Sequence, residues 1–455
     1  SAACTVDGSA ATPTATELAA PPQGGRTARA GGAVRVRQHP LSLLPFREFP
    51  RMSQDFRAAL LCGDHVTWIA SCGREVERKE IRPRFPDEYR DRAVAIARRN
   101  EWKMQGMARM LGGGTPIDLP ETAIGVASQV VDLAAFDVSS GTGGAASFVY
   151  VVQAEGVSGL FRVDAESEQE HRLFHSNLVR VQSISPCSPA GRLLCSTADA
   201  HGTADLALID LEHGGITELT EGDSVDEAPA WVEGSDERLV YQSAGVSRGE
   251  HGYVNAVGPR SIQRLDLAAG RVEEVLAEDS SDLLCPRQMR DGTLYFLRRP
   301  WKLKGGATPW EWLRSIALFP FHLGMAVFHV VHLLSRSQTR KPLLPEARRQ
   351  QGDGRPLWLW GALVDEASKS ERRRGGDASR RSPPSLVPPD WQLVRRTPEG
   401  EEQILARGVV SYAPLANGEV LYTTGHHLHR VAVDGANERI CSVRRATRLV
   451  VLNGA

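Results

Sequence analysis

The sequence predicts an all-β fold: a β-propeller of about six four-stranded blades, closed by pairing of N- and C-terminal strands, with a long partly helical insertion in one blade. Three observations carry this expectation. Short alternating apolar runs bounded by Gly, Pro and Asp turns recur in groups of four, the signature of antiparallel sheets repeated along a chain. Lone strand-like runs remain near both ends, where they can complete one another. A segment of different composition, 299–390, interrupts one group between its second and third runs.

Composition sets the frame. The 455 residues carry 54 Lys+Arg against 55 Asp+Glu, a net charge of -1, so no nucleic-acid partner is expected. An apolar fraction of 41% and a charged fraction of 24% fit a globular chain able to bury a large core. Seven cysteines, at 4, 62, 72, 187, 195, 285 and 441, are odd in number and lack C-x-x-C spacing. They read as free thiols behaving as small hydrophobes in a reducing compartment, not as a disulfide or metal framework. A cytoplasmic location, peripheral to a membrane if the insertion meets one, is therefore expected. A periplasmic one stays open, because the sequence starts at Ser1 with no Met.

Residues 1–35 are Ala, Gly, Pro, Ser and Thr with few large apolar groups, and are expected to form a disordered tail. Strands are expected at 56–61, 65–70 and 75–81. Over 87–111, Tyr89, Val94, Ile96, Ala97, Trp102, Met104 and Met107 recur at helical intervals beside Arg and Glu, which predicts an amphipathic helix. One group of four runs follows within 130–174. The next runs from Val181 through Ser188-Pro189-Ala190-Gly191, Leu193-Leu194-Cys195 and Leu208-Ile209-Asp210-Leu211 to Leu219-Thr220. Further groups occupy 228–276, 283–297 with 391–405, and 409–441. The run 448–452 is left over to complete the N-terminal blade.

The turn Ser188-Pro189-Ala190-Gly191, the runs Leu208-Ile209-Asp210-Leu211 and Leu265-Asp266-Leu267, the Gly214-Gly215 pair and Leu219-Thr220 together resemble the TolB-type (WD40-like) β-propeller repeats of bacteria. Ala190 stands where the repeat has Asp, and two blades lack the turn altogether. The resemblance implies a propeller and says little about activity, because propellers host many.

The insertion has three parts. Trp310 and Trp312 lead into 316–334, nineteen residues without Asp, Glu, Lys or Arg that include Ile316, Phe319, Phe321, Val327, Phe328, Val331 and Leu334. That length is just enough to cross a hydrocarbon core, but Pro320, Gly324 and the polar stripe of His322, His329 and His332 also suit a helix lying on a membrane or packed against protein. Three His without a carboxylate or thiol do not make a metal site. A basic stretch follows, then an apolar patch at 356–360. Last come Arg372, Arg373, Arg374, Arg380 and Arg381 among Gly and Ser, a proteolysis-prone loop that could equally touch anionic lipid.

No catalytic motif is legible. Gly222-Asp223-Ser224-Val225-Asp226 lacks the closing Gly of a nucleophile elbow, and no phosphate loop, dinucleotide fingerprint, zincin motif or EF-hand occurs. Gly425-His426-His427-Leu428-His429 offers three imidazoles, but strand alternation puts His427 and His429 on one face and His426 on the other. Asp223, Asp226 and Glu227 read as a solvated acidic corner. No cluster of His, Asp or Arg stands out at inner-strand positions.

The expected layout is a tail at 1–35; blades over 36–298 with the helix near 87–111; an insertion at 299–390, with apolar helix 310–334 and basic segment 336–390; and remaining strands and closure at 391–455. The expected function is a non-enzymatic scaffold binding a protein partner, with the blade insertion as the specific element and no catalytic residue, cofactor or metal. The alternative is a membrane-acting effector whose helix 310–334 is masked by the propeller and released by proteolysis or partner binding, which would add a protease as partner.

Overall fold

The first sheet is made from residues near both ends of the chain. In a computed structural model that describes residues 55–72, 75–110, 128–136, 147–154, 156–186, 188, 191–211, 213–301, 357–364 and 385–452, β1 (Phe56–Cys62), β2 (His65–Cys72) and β3 (Glu75–Ile81) form a meander. The strand β27 (Ala446–Leu452) pairs antiparallel with the free edge of β1, giving the order β27-β1-β2-β3.

The other strands repeat this four-stranded plan. β4 (Ser128–Phe136), β5 (Ser147–Ala154), β6 (Val157–Asp164) and β7 (Glu170–Ser176) form the second unit. β8 (Arg180–Ile184), β9 (Arg192–Ala198), β10 (Ala204–Asp210) and β11 (Ile216–Glu218) form the third. The fourth contains β12 (Ser224–Trp231), β13 (Arg238–Arg248), β15 (Ser261–Asp266) and β16 (Arg271–Leu276), with β14 (Val254–Val257) as a side hairpin on β13. A single parallel bridge, Ala204 to Val225, joins the third and fourth units into one nine-stranded sheet. The fifth unit is β17 (Ser281–Gln288), β18 (Leu294–Pro300), β21 (Gln392–Arg396) and β22 (Glu402–Arg407). Between β18 and β21 the described residues include a separate hairpin, β19 (Leu357–Leu359) and β20 (Ala362–Val364). The sixth unit is β23 (Ser411–Pro414), β24 (Val420–Thr423), β25 (His427–Val431) and β26 (Asn437–Ser442).

Burial explains the sequence of each strand. Second strands are covered on both faces, so β5 reads Ser-Phe-Val-Tyr-Val-Val-Gln-Ala with all but Gln153 buried. Outer strands meet water and turn polar: β16 reads Arg-Val-Glu-Glu-Val-Leu and is exposed over its first four residues. Tight turns join them, as where Gly191 takes a positive φ of 72° and donates to Ser188 O.

Each unit packs on the next. Leu61 and Trp68 meet Leu133, Phe148 and Tyr150; Val151 and Leu160 meet Ile184, Leu193 and Cys195. Leu194 and Leu206 meet Leu239 and Tyr241; Ile262 meets Leu283 and Phe296. Trp391 and Leu393 meet Tyr412 and Tyr422, and Leu421 and Leu428 meet Phe56, Leu60 and Ile69 of the first sheet. Contact therefore runs from the first unit through to the sixth and from the sixth to the first.

One helix, α1 (Arg84–Met110), lies between β3 and β4. Its start is fixed by the second unit: the Glu170 carboxylate accepts from Arg84 N and Phe85 N, and the Phe85 ring lies 4.5 Å from that of Phe161. A carboxylate on the first free N–H groups also favours the positive end of the helix dipole.

Leu60→Ala, at the contact between the sixth unit and the first, should cost about 2–5 kcal/mol, read as a lowered urea midpoint with unchanged slope. Ile404→Ala, on the half-exposed outer strand β22, should stay within about 0.5 kcal/mol.

Candidate functional site

The first strand of each unit, together with β13, carries a set of buried polar side chains that reach the neighbouring unit. Asp132 Oδ2 on β4 accepts from Ile184 N on β8 at 2.8 Å. Ser183 Oγ on β8 accepts from Ala228 N on β12 at 3.0 Å, and Gln242 Oε1 on β13 accepts from Cys285 N on β17 at 2.8 Å. The Tyr412 hydroxyl on β23 lies 2.6 Å from Cys285 O and 2.7 Å from Tyr295 O, and Ser411 Oγ accepts from Leu449 N on β27 at 3.0 Å. Arg448 on β27 holds Asp132 Oδ1 at 2.9 Å. Every pair of neighbouring units thus shares a polar contact at these strands.

These contacts coincide with β-bulges. The register shifts at Val130/Asp132, Val181/Ser183, Glu227/Ala230 and Leu284/Arg287. Ala228 and Cys285 both take φ of 51°, each just before a proline, and each turns its N–H out of its own ladder toward the preceding unit. Left-handed backbone at a residue with a Cβ is strained, and the bond to the neighbouring unit helps hold it.

The hairpin β19–β20 sits on the charged groups at one end of these strands. Its tip is Trp360-Gly361, with φ of 49° and 72°, the pair of positive values a two-residue type I′ turn requires. Arg299 on β18 donates from Nε to Asp282 Oδ2 at 2.8 Å, from one terminal nitrogen to Trp360 O at 2.7 Å, and from the other to Leu359 O at 3.4 Å. Its guanidinium also stacks 4.9 Å from the centre of the Trp391 ring. Arg260 lies between Glu227 (3.4 Å) and Asp282 (3.9 Å). A Cβ at position 361 would come within 3.3 Å of its terminal nitrogen. Arg448 lies 5.9 Å from the centre of the Trp360 ring, and Leu359 is buried in the core beside Trp391.

Burial shapes the charges. It pushes the Asp132 carboxyl above its usual range, against the pull of Arg448 and two backbone N–H groups, and pushes the Cys285 thiol up to about 11. It also lowers Arg299, with Asp282 opposing the effect.

Two expectations are corrected here. Inner-strand positions do hold a charged cluster: Asp132, Asp282, Arg287 and Arg448 stand on β4, β17 and β27, with Arg260, Arg299 and Glu227 beside them. They are scattered over β4, β12, β17, β18, β27 and the turn before β15, so no local motif announces them. The acidic corner at Asp223, Asp226 and Glu227 is not simply solvated. Asp223 is exposed and pairs with Arg248, but Asp226 is buried and accepts from Ser243 Oγ at 2.6 Å, while Glu227 accepts from Gln242 and Arg260.

The imidazoles of His427 and His429 do share a face of β25, with ring centres 6.0 Å apart and His429 stacked on Tyr422 at 4.9 Å. Both are buried. Burial, then the neighbouring His427 and Arg439, lowers His429 to about 4, and burial and Arg439 lower His427. Among the described residues no group of three His, Cys, Asp or Glu is placed to hold a metal ion. Cys62, Cys195 and Cys285 are buried free thiols, Cys441 is half-buried, and Cys72 is exposed near Asp55.

The sequence-based site residues Trp310, Trp312, Ile316, Phe319, Phe321, Val327, Phe328, Val331 and Leu334 lie outside the described residues, as do His322, His329 and His332. So do Arg372, Arg373, Arg374, Arg380 and Arg381. Among the described residues no helix is long and apolar enough to cross a membrane.

No family model matches the chain, and no curated protein matches it. Solved structures similar to it include TolB. The TolB from Acinetobacter baumannii is 11% identical, with a TM-score of 0.43, over 89% of this chain and 67% of that one. A nidogen/laminin complex chain is 6% identical, with a TM-score of 0.44, over 88% and 98%. Oligogalacturonate lyase from Vibrio parahaemolyticus is 10% identical, with a TM-score of 0.34, over 67% of each chain. The neighbours thus include a chain from a protein complex and an enzyme.

Arg448→Met should destabilise the chain by about 3–5 kcal/mol by stranding buried Asp132, and Arg448→Met with Asp132→Asn should recover part of the loss in a double-mutant cycle. The two histidines give a pH dependence of definite sign. Their folded-state values lie below the unfolded value of about 6.5, so their contribution is full above that pH and is lost as pH falls toward 4 for His429. His429→Phe, which keeps a ring against Tyr422, should flatten that fall by up to about 1.4 kcal/mol per pH unit in urea titrations.

Proposed function

We propose that this chain is a six-bladed β-propeller, closed by β27 on β1, that serves as a non-enzymatic scaffold for a protein partner. The 299–390 segment is its specific interaction element. The observation that carries this reading is the seating of β19–β20, a piece of that segment, on Arg299 and Trp391. A segment pinned at one internal point to the scaffold is presented from a fixed base, which lowers the ordering cost of binding. The inner charged residues support a framework role, because Asp132 with Arg448 and Asp282 with Arg260 link neighbouring blades, while Glu227 holds Arg260 within its own.

The test compares the intact chain with one in which 310–350 is replaced by a short Gly/Ser linker that leaves β19–β20 in place. Affinity purification from the native host should recover one stoichiometric protein with the intact chain and at least about tenfold less with the variant, at equal melting temperature. Equal recovery from both would remove the insertion from the interface, and absence of any stoichiometric partner would remove the scaffold reading.

A further inference from the structure

The seat of the β19–β20 hairpin has the chemistry of an anion site. Arg299 presents two terminal nitrogens side by side to two oxygens, the carbonyls of Leu359 and Trp360, which is the fork a carboxylate or phosphate fills with full charge. The hairpin answers it only with backbone dipoles. In the inner cluster to which that fork belongs, Arg260, Arg287, Arg299 and Arg448 stand against Asp132, Asp282 and Glu227, with Arg287 on the Asp132–Arg448 side. Arg287 lies on β17 beyond Cys285, and among the described residues its guanidinium donates only to Pro286 O, at 2.9 Å. It feels the charge of Arg448 and is held below the usual arginine range, first by burial. Arg260 is buried, and its Nε has no hydrogen-bond partner among the described residues. A second aromatic, Trp360, lies over Arg448, which pairs with Asp132.

We propose that the hairpin Leu357–Val364 is a removable cap on an anion site at Arg299 and Arg260, and that a carboxylate- or phosphate-bearing ligand displaces its two carbonyls from Arg299. Displacement by a neutral group would leave buried guanidinium N–H groups unmet, which is costly, whereas an anion meets them better than the hairpin does. This inference stands apart from the partner-binding reading: it needs the seat and the hairpin, not a protein partner.

Hydrogen exchange read by mass spectrometry on the full chain tests it. Citrate and inorganic pyrophosphate are added separately, with sodium chloride at matched ionic strength as control. The cap predicts that at least one of the two probes speeds exchange in the peptide covering 357–364 by about tenfold or more, while chloride does not. Which probe acts says whether the site favours carboxylate or phosphate. Arg299→Lys keeps the charge, loses the fork and should abolish the response, read at a temperature where circular dichroism shows the variant folded. If that variant does not fold, Trp360→Ala, which leaves the Arg299–Asp282 pair in place, should open the peptide at about tenfold lower probe concentration. Exchange unchanged by both probes, an equal effect of chloride, or a Trp360→Ala response like that of the intact chain would overturn the proposal.

Discussion

The contact between Asp132 and its neighbours is the constraint on which the arrangement of sheets rests. A four-stranded sheet of this kind cannot cover its own faces, so apolar packing between units supplies most of the stability but little direction. Direction comes from the polar contacts at the first strands. One carboxylate, buried on β4, binds the backbone of the third unit through one oxygen and Arg448 of the first sheet through the other. Asp132 thereby fixes three units at once, and its burial is tolerable because each oxygen has a partner. Ser183, Gln242, Tyr412 and Ser411 repeat the same device with neutral groups, which carry less desolvation cost and less specificity.

The fifth unit shows how a sheet can accept a long interruption without loss of register. β18 ends at Pro300 and β21 begins at Gln392, yet Leu294 to Arg298 pair with Arg396 to Gln392 in unbroken order. Closing a longer loop adds only a logarithmic entropy cost. Arg299, next to that pairing, then binds back a piece of the interrupting segment. The same residue joins the sheet, the core through Trp391, and the hairpin.

Much of this architecture was legible because its signal is local. In the third unit the apolar alternation of 192–197 and 204–211, the turn at Ser188 to Gly191 and the Gly214-Gly215 pair mark strands and corners directly. The inner charged cluster was not legible, because Asp132 in Val-Val-Asp-Leu and Arg448 in Thr-Arg-Leu-Val look like ordinary polar faces of alternating strands. Their partners lie in other units, and only tertiary structure joins them. The β19–β20 hairpin shows in the sequence only as the apolar patch 356–360. Its signal was present in Trp360-Gly361 between two short apolar runs, but three-residue strands fall below what periodicity can separate from a loop. The acidic corner misled for a related reason: Asp226 and Glu227 sit before a bulge, where the strand turns successive side chains inward.

Joining β27 to β1 has a consequence for the order of events during synthesis. Thr447 Oγ1 reaches Leu61 O across 386 residues, so the first sheet leaves the ribosome as three strands and waits for β27 before it is complete. Until then the edge of β1 and the face of Leu60 are open, and a chain stalled or cut before β27 carries the same defect permanently. The outer β1 ladder therefore stays unpaired, open to the wrong partner, until β27 has been made.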